Sequence, residues 1–457
     1  MKNKVLKISL IAIGSILGVV IISLGSLFLY SQNYHIPEQD ESIANSSSLI
    51  QAKSRSLYDG NGNKIRLTGI NAGNILLQEG WMSPFALEPL KNDDGTYVKD
   101  KDGNIQYPEF AEEEFRYGLK NNPNLKDKQE ELMDYYYKSF FNDYDFRYIK
   151  NDLGMNCIRL PFYYLNILNE DLTPKSDENA FSYIDWFLTK CQQYELYCIL
   201  DLHGAPGSQN GFEHSGTLNK EANLWNDENN RKGFLDVWDK VSKYYTNVRP
   251  DLGKWIATYD ILNEPTYEAN GKTTKECWDL FDLAYDIIRA NNDNHVITME
   301  GCWDFAALPD PKDYGWENVQ YEYHWYNWWS DTLPYDLFYS YQDMSNIGRD
   351  YDVPVYIGEF TYFENKDVWA EGLELFKDRN YSWTIWNYKT TSIGWWTSSW
   401  GVYTVKLNLD TKTEELKTNI LTCTEEEFRA ACDLTKTENC VTATLDEVLK
   451  AHKGNLY

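Results

Sequence analysis

Two apolar segments of the sequence each end in a glutamate. The run at 256–262 is followed directly by Asn263, Glu264 and a proline, and the run at 353–360 carries Glu359 next to its last residue. Two carboxyl groups that flank a pocket can cleave a glycosidic bond. One protonates the leaving oxygen, while the other attacks the anomeric carbon or activates water. A separation of about 5–5.5 Å gives retention of configuration and a wider one gives inversion. A single glutamate at such a position is equally well explained as a structural residue at the end of a strand.

Further polar side chains fall where other apolar runs end. We interpret Arg159 as the end of the second run, where it can hold a carboxylate ionised. His203 ends the third run, and His324 and Tyr326 end the sixth. A lone arginine or histidine is often structural. The chain has six histidines, however, and two of them at strand ends favour a site.

Two more residues complete the candidate site. Asn263 can donate to the 2-hydroxyl of a sugar, a contact that strengthens in the transition state of glycoside cleavage. Trp386 ends the eighth run and can form a stacking floor for a sugar ring, although a core position is the alternative.

Eight short, apolar and β-branched runs must position these residues. Helical patterns separate most of them, for example at 234–245 and 275–290, where apolar residues repeat along one helical face. Eight strands that alternate with helices predict an α/β fold, a (β/α)8 TIM barrel whose functional residues gather at the carboxyl ends of the strands. A doubly wound open sheet is the alternative, but no Gly-rich phosphate loop follows the first run. The runs are 65–71, 155–162, 196–204, 255–265, 295–301, 319–326, 353–360 and 382–389.

Composition and charge restrict the partners. Aromatic residues make up 16% of the chain, with 17 Trp and 35 Tyr, and exposed aromatic rings commonly form platforms for sugars. The net charge of −27 argues against binding to nucleic acid and against docking on an anionic membrane surface. A neutral polysaccharide or oligosaccharide substrate is compatible with it.

The N-terminus predicts a membrane anchor. Three lysines precede residues 8–30, which carry no charge, and a membrane span needs about 20 apolar residues. We expect an uncleaved signal anchor with the N-terminus in the cytoplasm and a catalytic domain outside the cell. A cleaved signal peptide is the alternative, and it would give a secreted protein. The predicted domain boundaries are basic residues and anchor at 1–31, polar linker at 32–53, catalytic barrel at 54–410 and helical C-terminal extension at 411–457.

The eight cysteines indicate no metal site, since the sequence contains neither a CxxC pair nor an HExxH motif. Cys157, Cys191 and Cys198 lie in or beside apolar runs and are expected to be buried thiols. A second group lies in the C-terminal extension, and two of its members could pair in an exported protein. This group is Cys423, Cys432 and Cys440.

Two segments carry no chemistry that the sequence reveals. Residues 81–125 form a long insertion that is mostly polar and rich in turn signals. In the extension, 424–428 (TEEEF) and 444–448 (TLDEV) have the Thr-x-x-Glu pattern of a capping box, which predicts two short helices.

Six motifs in order, spread over most of residues 55–400, resemble glycoside hydrolase family 5. They are IRLPF, LDLHGAPGSQNG, LNEP, HWY, IGEF and TIWNY. The resemblance implies that Glu264 is the general acid/base and Glu359 the nucleophile of a retaining double displacement without metal or cofactor. Glu264 would then need a raised pKa, to which the second carboxylate would contribute.

The longer segment DLHGAPGSQNGFEHSG resembles the exo-β-1,3-glucanase branch of that family. This implies a β-glucan substrate that is cut from its non-reducing end. An open cleft would instead give an endo-β-1,4-glucanase or a mannanase, and the aromatic runs at 324–330 and 394–403 would line outer subsites. A non-catalytic carbohydrate-binding barrel and a transglycosylase on the same fold are the remaining alternatives.

Overall fold

The computed structural model describes most of the chain after residue 48. The described residues are 49–101, 103–266, 275–302, 307–326, 351–362, 366–392, 400–407 and 416–453. The predicted anchor at 8–30 lies outside them. Within the described ranges, no helix is long and apolar enough to cross a membrane.

Eight parallel strands close into a barrel. Each neighbouring pair is parallel, and the eighth strand pairs with the first, so the sheet has no free edge. The predicted (β/α)8 barrel is therefore confirmed, with one strand in each of the eight runs. The strands are β1 (Thr68–Asn71), β2 (Cys157–Tyr163), β3 (Tyr197–Gly204), β4 (Ile256–Asp260), β5 (Val296–Glu300), β6 (Val319–Tyr326), β7 (Val355–Thr361) and β8 (Ser382–Ile385).

Helices surround the barrel and cover the apolar outer faces of the strands. Seven of the longer ones precede residue 380, and two form the C-terminal extension. They are α1 (Glu112–Asn121), α2 (Gln129–Phe140), α3 (Asp143–Asn151), α4 (Asp177–Tyr194), α5 (Glu228–Lys243), α6 (Lys275–Ala290), α7 (Lys366–Asp378), α8 (Glu425–Leu434) and α9 (Thr444–His452).

The amino end of the barrel is closed by the first described residues. Strands Gln51–Lys53, Ser56–Tyr58 and Lys64–Ile65 form a small antiparallel sheet. Ile50 and Leu57 pack with early residues of the barrel strands, among them Cys157. The predicted linker boundary at residue 53 is therefore too late, because residues 51–53 already pair with the folded domain.

The insertion and the C-terminal extension pack together on the barrel. Phe85–Ala86 in the insertion forms a two-stranded pairing with Thr418–Asn419 in the extension. Phe428 of α8 stacks on Phe85, with ring centroids 4.7 Å apart. The insertion also contributes α1, so it is an integral part of the domain rather than a polar excursion.

The two predicted capping boxes have different outcomes. Thr424 accepts a hydrogen bond from the Glu427 backbone N–H, and the Glu427 carboxylate accepts one from the Thr424 backbone, as predicted. In the second case the short helix forms, but the capping box does not, because Thr444 is already the first helical residue of α9. The preceding residue, Ala443, has no side-chain cap.

All eight cysteines are free thiols. Cys157, Cys191 and Cys198 are fully buried, as predicted. The disulfide considered for the extension is not formed, since Cys423, Cys432 and Cys440 are each unpaired.

Candidate active site

Arg159 lies at the centre of the barrel mouth and organises the site. Its guanidinium donates to Asp260 at 2.9 and 2.7 Å, to Asn263 at 2.9 Å, to Asn71 at 3.1 Å and to Glu359 at 2.9 Å. Arg159 is fully buried, so these charge-assisted bonds form in a low-dielectric environment where they are strong. The sequence suggested that Arg159 ends its strand, but Arg159 is the third residue of β2. Its long side chain nevertheless reaches the mouth.

Glu359, on β7, is held by two donors and lies beside a third. Besides the Arg159 bond, it accepts the hydroxyl hydrogen of Tyr326 at 2.8 Å, and His324 Nδ1 lies 3.4 Å away. The preceding residue must be glycine, because a Cβ at Gly358 would lie 1.5 Å from the Glu322 carboxylate. Glu359 is 5% exposed. Its carboxylate is therefore oriented by its donors and open only to the pocket.

Glu264 follows β4 in a strained backbone conformation. Its φ is +42°, a region that is costly for a side chain with a Cβ and that clusters at functional sites. Its backbone N–H donates to the Glu300 carboxylate at 2.5 Å, which compensates for part of this cost. The Glu264 Oε1 lies 2.8 Å from His324 Nδ1, and its Oε2 lies 2.9 Å from His214 Nε2.

The two predicted catalytic carboxylates face one another across the mouth. A ligand atom from each of Glu264, His324 and Glu359 can be chosen so that all three lie within 4.8 Å of one another. His324 therefore stands between the two glutamates. Burial lowers its pKa, but the carboxylates of Glu300 and Glu359 outweigh burial and raise the pKa well above its usual value.

The pKa of Glu264 departs from the expectation of a raised value. Burial raises the pKa of this carboxyl, but the imidazoles of His214 and His324 outweigh burial and hold the pKa well below its usual range. Conversely, burial lowers the pKa of His214, but Glu264 raises it to about 9. The expected rise in pKa was wrong because it took account of the second carboxylate and not of the two histidines, His214 and His324, that contact Glu264 directly.

His203 and Trp386, both predicted site residues, lie together on one wall of the site. Their rings stack with centroids 5.4 Å apart and an interplanar angle of 7°. Asp201 contacts His203 Nδ1 at 2.7 Å, and burial lowers the pKa of His203 to about 3. His203 is therefore a neutral, fixed ring, and Trp386 presents a flat apolar face to the pocket.

Asn263 also lines the pocket. Its Oδ1 accepts from Arg159, which directs the amide NH2 group as the donor, and the residue is 1% exposed. This is the orientation that a sugar hydroxyl acceptor needs.

These residues line a pocket of about 550 Å³ at the carboxyl ends of the strands. The sequence analysis assigned no individual role to six of its lining residues, of which Trp325 and Trp400 lie in the two aromatic runs expected to line outer subsites. Glu79 and Trp81 lie in the loop after β1. Their position beyond the carboxyl end of a barrel strand was the sequence signal that could have identified them. Glu213 and His214 lie within the quoted segment after β3, whereas Trp325 lies inside the HWY motif. The lining residues are Glu79, Trp81, His203, Glu213, His214, Asn263, Glu264, His324, Trp325, Tyr326, Glu359, Trp386 and Trp400.

A second carboxylate layer lies beneath the pocket. Asp260, Glu300 and Glu322 are fully buried. Burial raises the pKa of all three. Glu300, Glu322 and His324 lie close enough to share a cation. We assign no metal to them, because Arg159 and His324 already supply positive hydrogen-bond donors to this layer.

The sequence matches the family model Cellulase (glycosyl hydrolase family 5) over residues 114–392, more than half of the 457-residue chain. Fold and match together define a glycoside hydrolase. The chain belongs to glycosyl hydrolase family 5, as its motifs indicated.

Several curated proteins are similar in sequence. Beta-xylosidase from Phanerodontia chrysosporium is 28% identical over 295 residues, which cover 58% of this chain and 60% of that protein. Glucan 1,3-beta-glucosidase 2 from Wickerhamomyces anomalus is 29% identical over 210 residues, 46% of this chain and 43% of that protein. Endoglucanase C from Acetivibrio thermocellus is 29% identical over 199 residues, which cover 42% of this chain and 52% of that protein. The alignments thus span about half the length of these relatives.

Solved structures share the fold at low sequence identity. The crystal structure of rutinosidase from Aspergillus niger superposes with a TM-score of 0.52 and 14% identity, covering 81% of this chain and 98% of that one. The crystal structure of AoRut gives a TM-score of 0.50 and 17% identity, with 81% and 97% covered. These similarities support the barrel and carry no information on the substrate.

Proposed function

We propose that this protein is a retaining β-glycosidase that cleaves a β-glucan by double displacement. The observation that carries the proposal is that carboxylate oxygens of Glu264 and Glu359 lie within 4.8 Å of one another. A closest approach of at most 4.8 Å between the oxygens is compatible with the carboxyl spacing of about 5–5.5 Å in retaining enzymes, whereas inversion needs about 6.5–9.5 Å to admit a water.

The contacts of the two glutamates assign their roles. Glu359 is fixed by Arg159 and Tyr326, and a carboxylate that is oriented in this way is suited to attack the anomeric carbon. Glu264 contacts two imidazoles, which can exchange a proton with it. Glu264 thus protonates the leaving oxygen and, in the second step, accepts a proton from the water that releases the sugar. No step requires a cofactor.

The walls of the pocket support exo action on a β-1,3-glucan. The segment 205–216 folds against the acid/base. Gln209 donates to the Asn263 carbonyl at 2.8 Å, and Asn210 donates to the Glu264 carbonyl at 3.2 Å. Trp81 and Trp400 pack edge to face on another side of the pocket. A pocket walled in this way suits the terminal sugar of a chain, and a relative named as a glucan 1,3-beta-glucosidase agrees with that substrate.

An endo-acting β-1,4-glucanase or mannanase is the second candidate, favoured by the similarity to a protein named Endoglucanase C. Incubation of the purified protein with laminarin, barley mixed-linkage glucan, carboxymethylcellulose and mannan separates the two. Glucose that accumulates alone from laminarin supports the exo-β-1,3 assignment. A ladder of oligomers from a β-1,4-linked polymer contradicts it, and longer products would indicate transglycosylation.

The catalytic role of Glu359 has a direct test. Glu359→Ala removes the nucleophile, so turnover should fall at least ~10³-fold while the protein still folds and binds substrate. Glu371→Ala, on the exposed face of α7, is the matched control and should leave turnover unchanged. Substrate binding without turnover in the wild-type protein would instead support a non-catalytic carbohydrate-binding barrel.

We also propose that residues 8–30 anchor the protein in the membrane with the barrel outside the cell. The support is the uncharged segment behind three lysines. Added protease that degrades the barrel in intact cells, with the protein retained in the membrane fraction, is the expected result. Release into the medium would indicate a cleaved signal peptide.

A further inference from the structure

His214 contacts the Glu264 oxygen that His324 does not contact. It lies in a single turn at Glu213–Ser215, in the segment after β3. Its Nε2 is 2.9 Å from Glu264 Oε2 and also 2.9 Å from the amide nitrogen of Asn210. One ring nitrogen thus faces both the acid/base and an amide.

The Asn210 amide cannot turn freely. Its Oδ1 accepts the backbone N–H of Phe212 at 3.0 Å, and its Nδ2 donates to the Glu264 carbonyl at 3.2 Å. The Nδ2 group has two hydrogens, so the second one points at His214 Nε2. An N–H can donate to a bare imidazole nitrogen but not to a protonated one. Asn210 therefore favours the form in which Nε2 carries no proton.

Charge attraction favours the opposite form. A protonated His214 beside an ionised Glu264 forms an ion pair, and Glu264 raises the pKa of His214 to about 9 although burial lowers it. The two groups titrate as one unit that holds a single proton over a wide pH range. The amide of Asn210 pushes that proton toward Glu264, whereas the charge pulls it toward His214.

Other charged groups face this pair from several elements. Glu79 and Glu213 lie beside His214, and both raise its pKa. The His203 ring lies 6.4 Å from the His214 ring and is neutral. Burial raises the pKa of Glu79 itself to about 8, so a test must separate Glu79 from His214.

The far side of Glu264 faces four further groups. His324 contacts its Oε1, and Glu300 accepts its backbone N–H. Glu359 stands across the pocket, and Asp201 lies below it, where burial raises the pKa of Asp201 to about 7. Among the residues that the structure describes, His214 contacts Glu264 Oε2, whereas none of these four groups does.

We propose that His214 and Asn210 are positioning residues for the catalytic proton: Glu264 and His214 share one proton, and the Asn210 amide returns it to Glu264 Oε2 for delivery to the leaving oxygen. This inference rests on the proposed function. In the first step the shared proton goes to the leaving oxygen as the glycosidic bond breaks and Glu359 bonds to the anomeric carbon. In the second step water attacks that carbon, the bond to Glu359 breaks, and the water proton restores the shared proton.

The pH profile of kcat/KM reports this arrangement. The wild-type pair keeps its proton below about pH 9 and loses it above, so the alkaline limb should lie near that value. His214→Phe removes the imidazole, while His324 still holds the pKa of Glu264 down, so Glu264 keeps its proton at most into the range of about pH 6–7 typical of a buried acid. The alkaline limb should therefore move down by at least about two pH units. Glu79→Gln should move the limb in the same direction by less, because Glu79 raises the pKa of His214 less than Glu264 does.

A comparison of leaving groups reports where the proton resides. Asn210→Asp places an acceptor at His214 Nε2 and draws the proton onto the imidazole. Hydrolysis of the p-nitrophenyl β-glucoside, whose leaving group needs more acid assistance, should then fall at least about tenfold more than that of the dinitrophenyl β-glucoside. Glu221→Gln, exposed in the loop that follows this segment, is the matched control and should change neither rate.

Two results would overturn the proposal. One is an alkaline limb in His214→Phe that coincides with the wild-type limb, in a protein whose melting temperature shows that it is folded. The other is an equal loss for both leaving groups in Asn210→Asp, which would make Asn210 a structural residue only. Glu264→Ala is measured in parallel. If it fails to discriminate between the leaving groups, the acid/base assignment itself is wrong; if it discriminates while His214→Phe matches wild type, only the shared proton is refuted.

Discussion

Replacement of Arg159 by methionine is the perturbation whose effect the structure defines best. The guanidinium is fully buried and donates to Asp260, Asn263, Asn71 and Glu359. Methionine fills much of the same volume but donates no hydrogen bond. The substitution therefore leaves several buried acceptors without their donor, among them two carboxylates.

The expected loss of stability follows from the missing hydrogen-bond donors. Breaking a buried ion pair by removal of one partner costs about 3–5 kcal/mol. An unfolding entropy of roughly 2.1 cal/mol/K per residue corresponds to about 1 kcal/mol per degree for 457 residues. The melting temperature of Arg159→Met should therefore fall by about 3–5 °C.

The magnitude for activity comes from the bond to Glu359 at 2.9 Å. A charge-assisted hydrogen bond is worth about 1.5–3 kcal/mol, which corresponds to roughly a 10- to 150-fold loss of kcat/KM if the bond is needed in the transition state. Arg159→Lys keeps the charge but not the fork of donors, so it should recover only part of the rate.

The assay combines thermal unfolding with steady-state kinetics on an aryl β-glucoside. Arg249→Met is the control, because Arg249 forms partly exposed ion pairs with Asp185 and Asp251 that contribute at most about 1 kcal/mol. A melting temperature and a kcat/KM for Arg159→Met that both equal those of the Arg249 variant would refute the central position of Arg159.

Three further predictions concern the fold and the chemistry. Phe428→Ala should destabilise the domain by about 3–5 kcal/mol, because this fully buried ring stacks on Phe85; an unchanged unfolding midpoint in urea would show that the extension is not part of the cooperative unit. A reducing agent should leave the melting temperature unchanged, because all eight cysteines are free thiols, whereas a disulfide would contribute about 2–4 kcal/mol. Dialysis against EDTA should leave kcat unchanged, since acid and nucleophile are both side chains, and a loss that added metal restores would contradict this mechanism.

The barrel could be predicted because its strands are buried on both faces and so appear as continuous apolar runs. Each of the eight runs contains one barrel strand. The catalytic candidates followed from the same reasoning, since Glu264 and Glu359 end two of those runs. Arg159 was placed correctly at the site but wrongly at a strand end, because the run continues through the apolar residues of β2 to Tyr163.

Other features depend on contacts that periodicity cannot show. His214 lies in an irregular segment, and its contact with Glu264 arises only from the way that Asn210 and Gln209 hold this segment to the strand ends. The predicted rise in the pKa of Glu264 was wrong for the same reason, because the contact with His214 helps to lower that pKa. The second capping box failed because a Thr-x-x-Glu pattern one residue inside a helix has the same sequence as one at its start.

The anomeric configuration of the first product tests the central claim most directly. Proton NMR spectra recorded within the first minutes of hydrolysis of a β-linked substrate distinguish the two anomers before they interconvert. Glu264 and Glu359 at the observed separation predict that the β-anomer appears first, since two displacements retain the configuration. If the α-anomer appears first, water attacks directly and Glu359 is not the nucleophile.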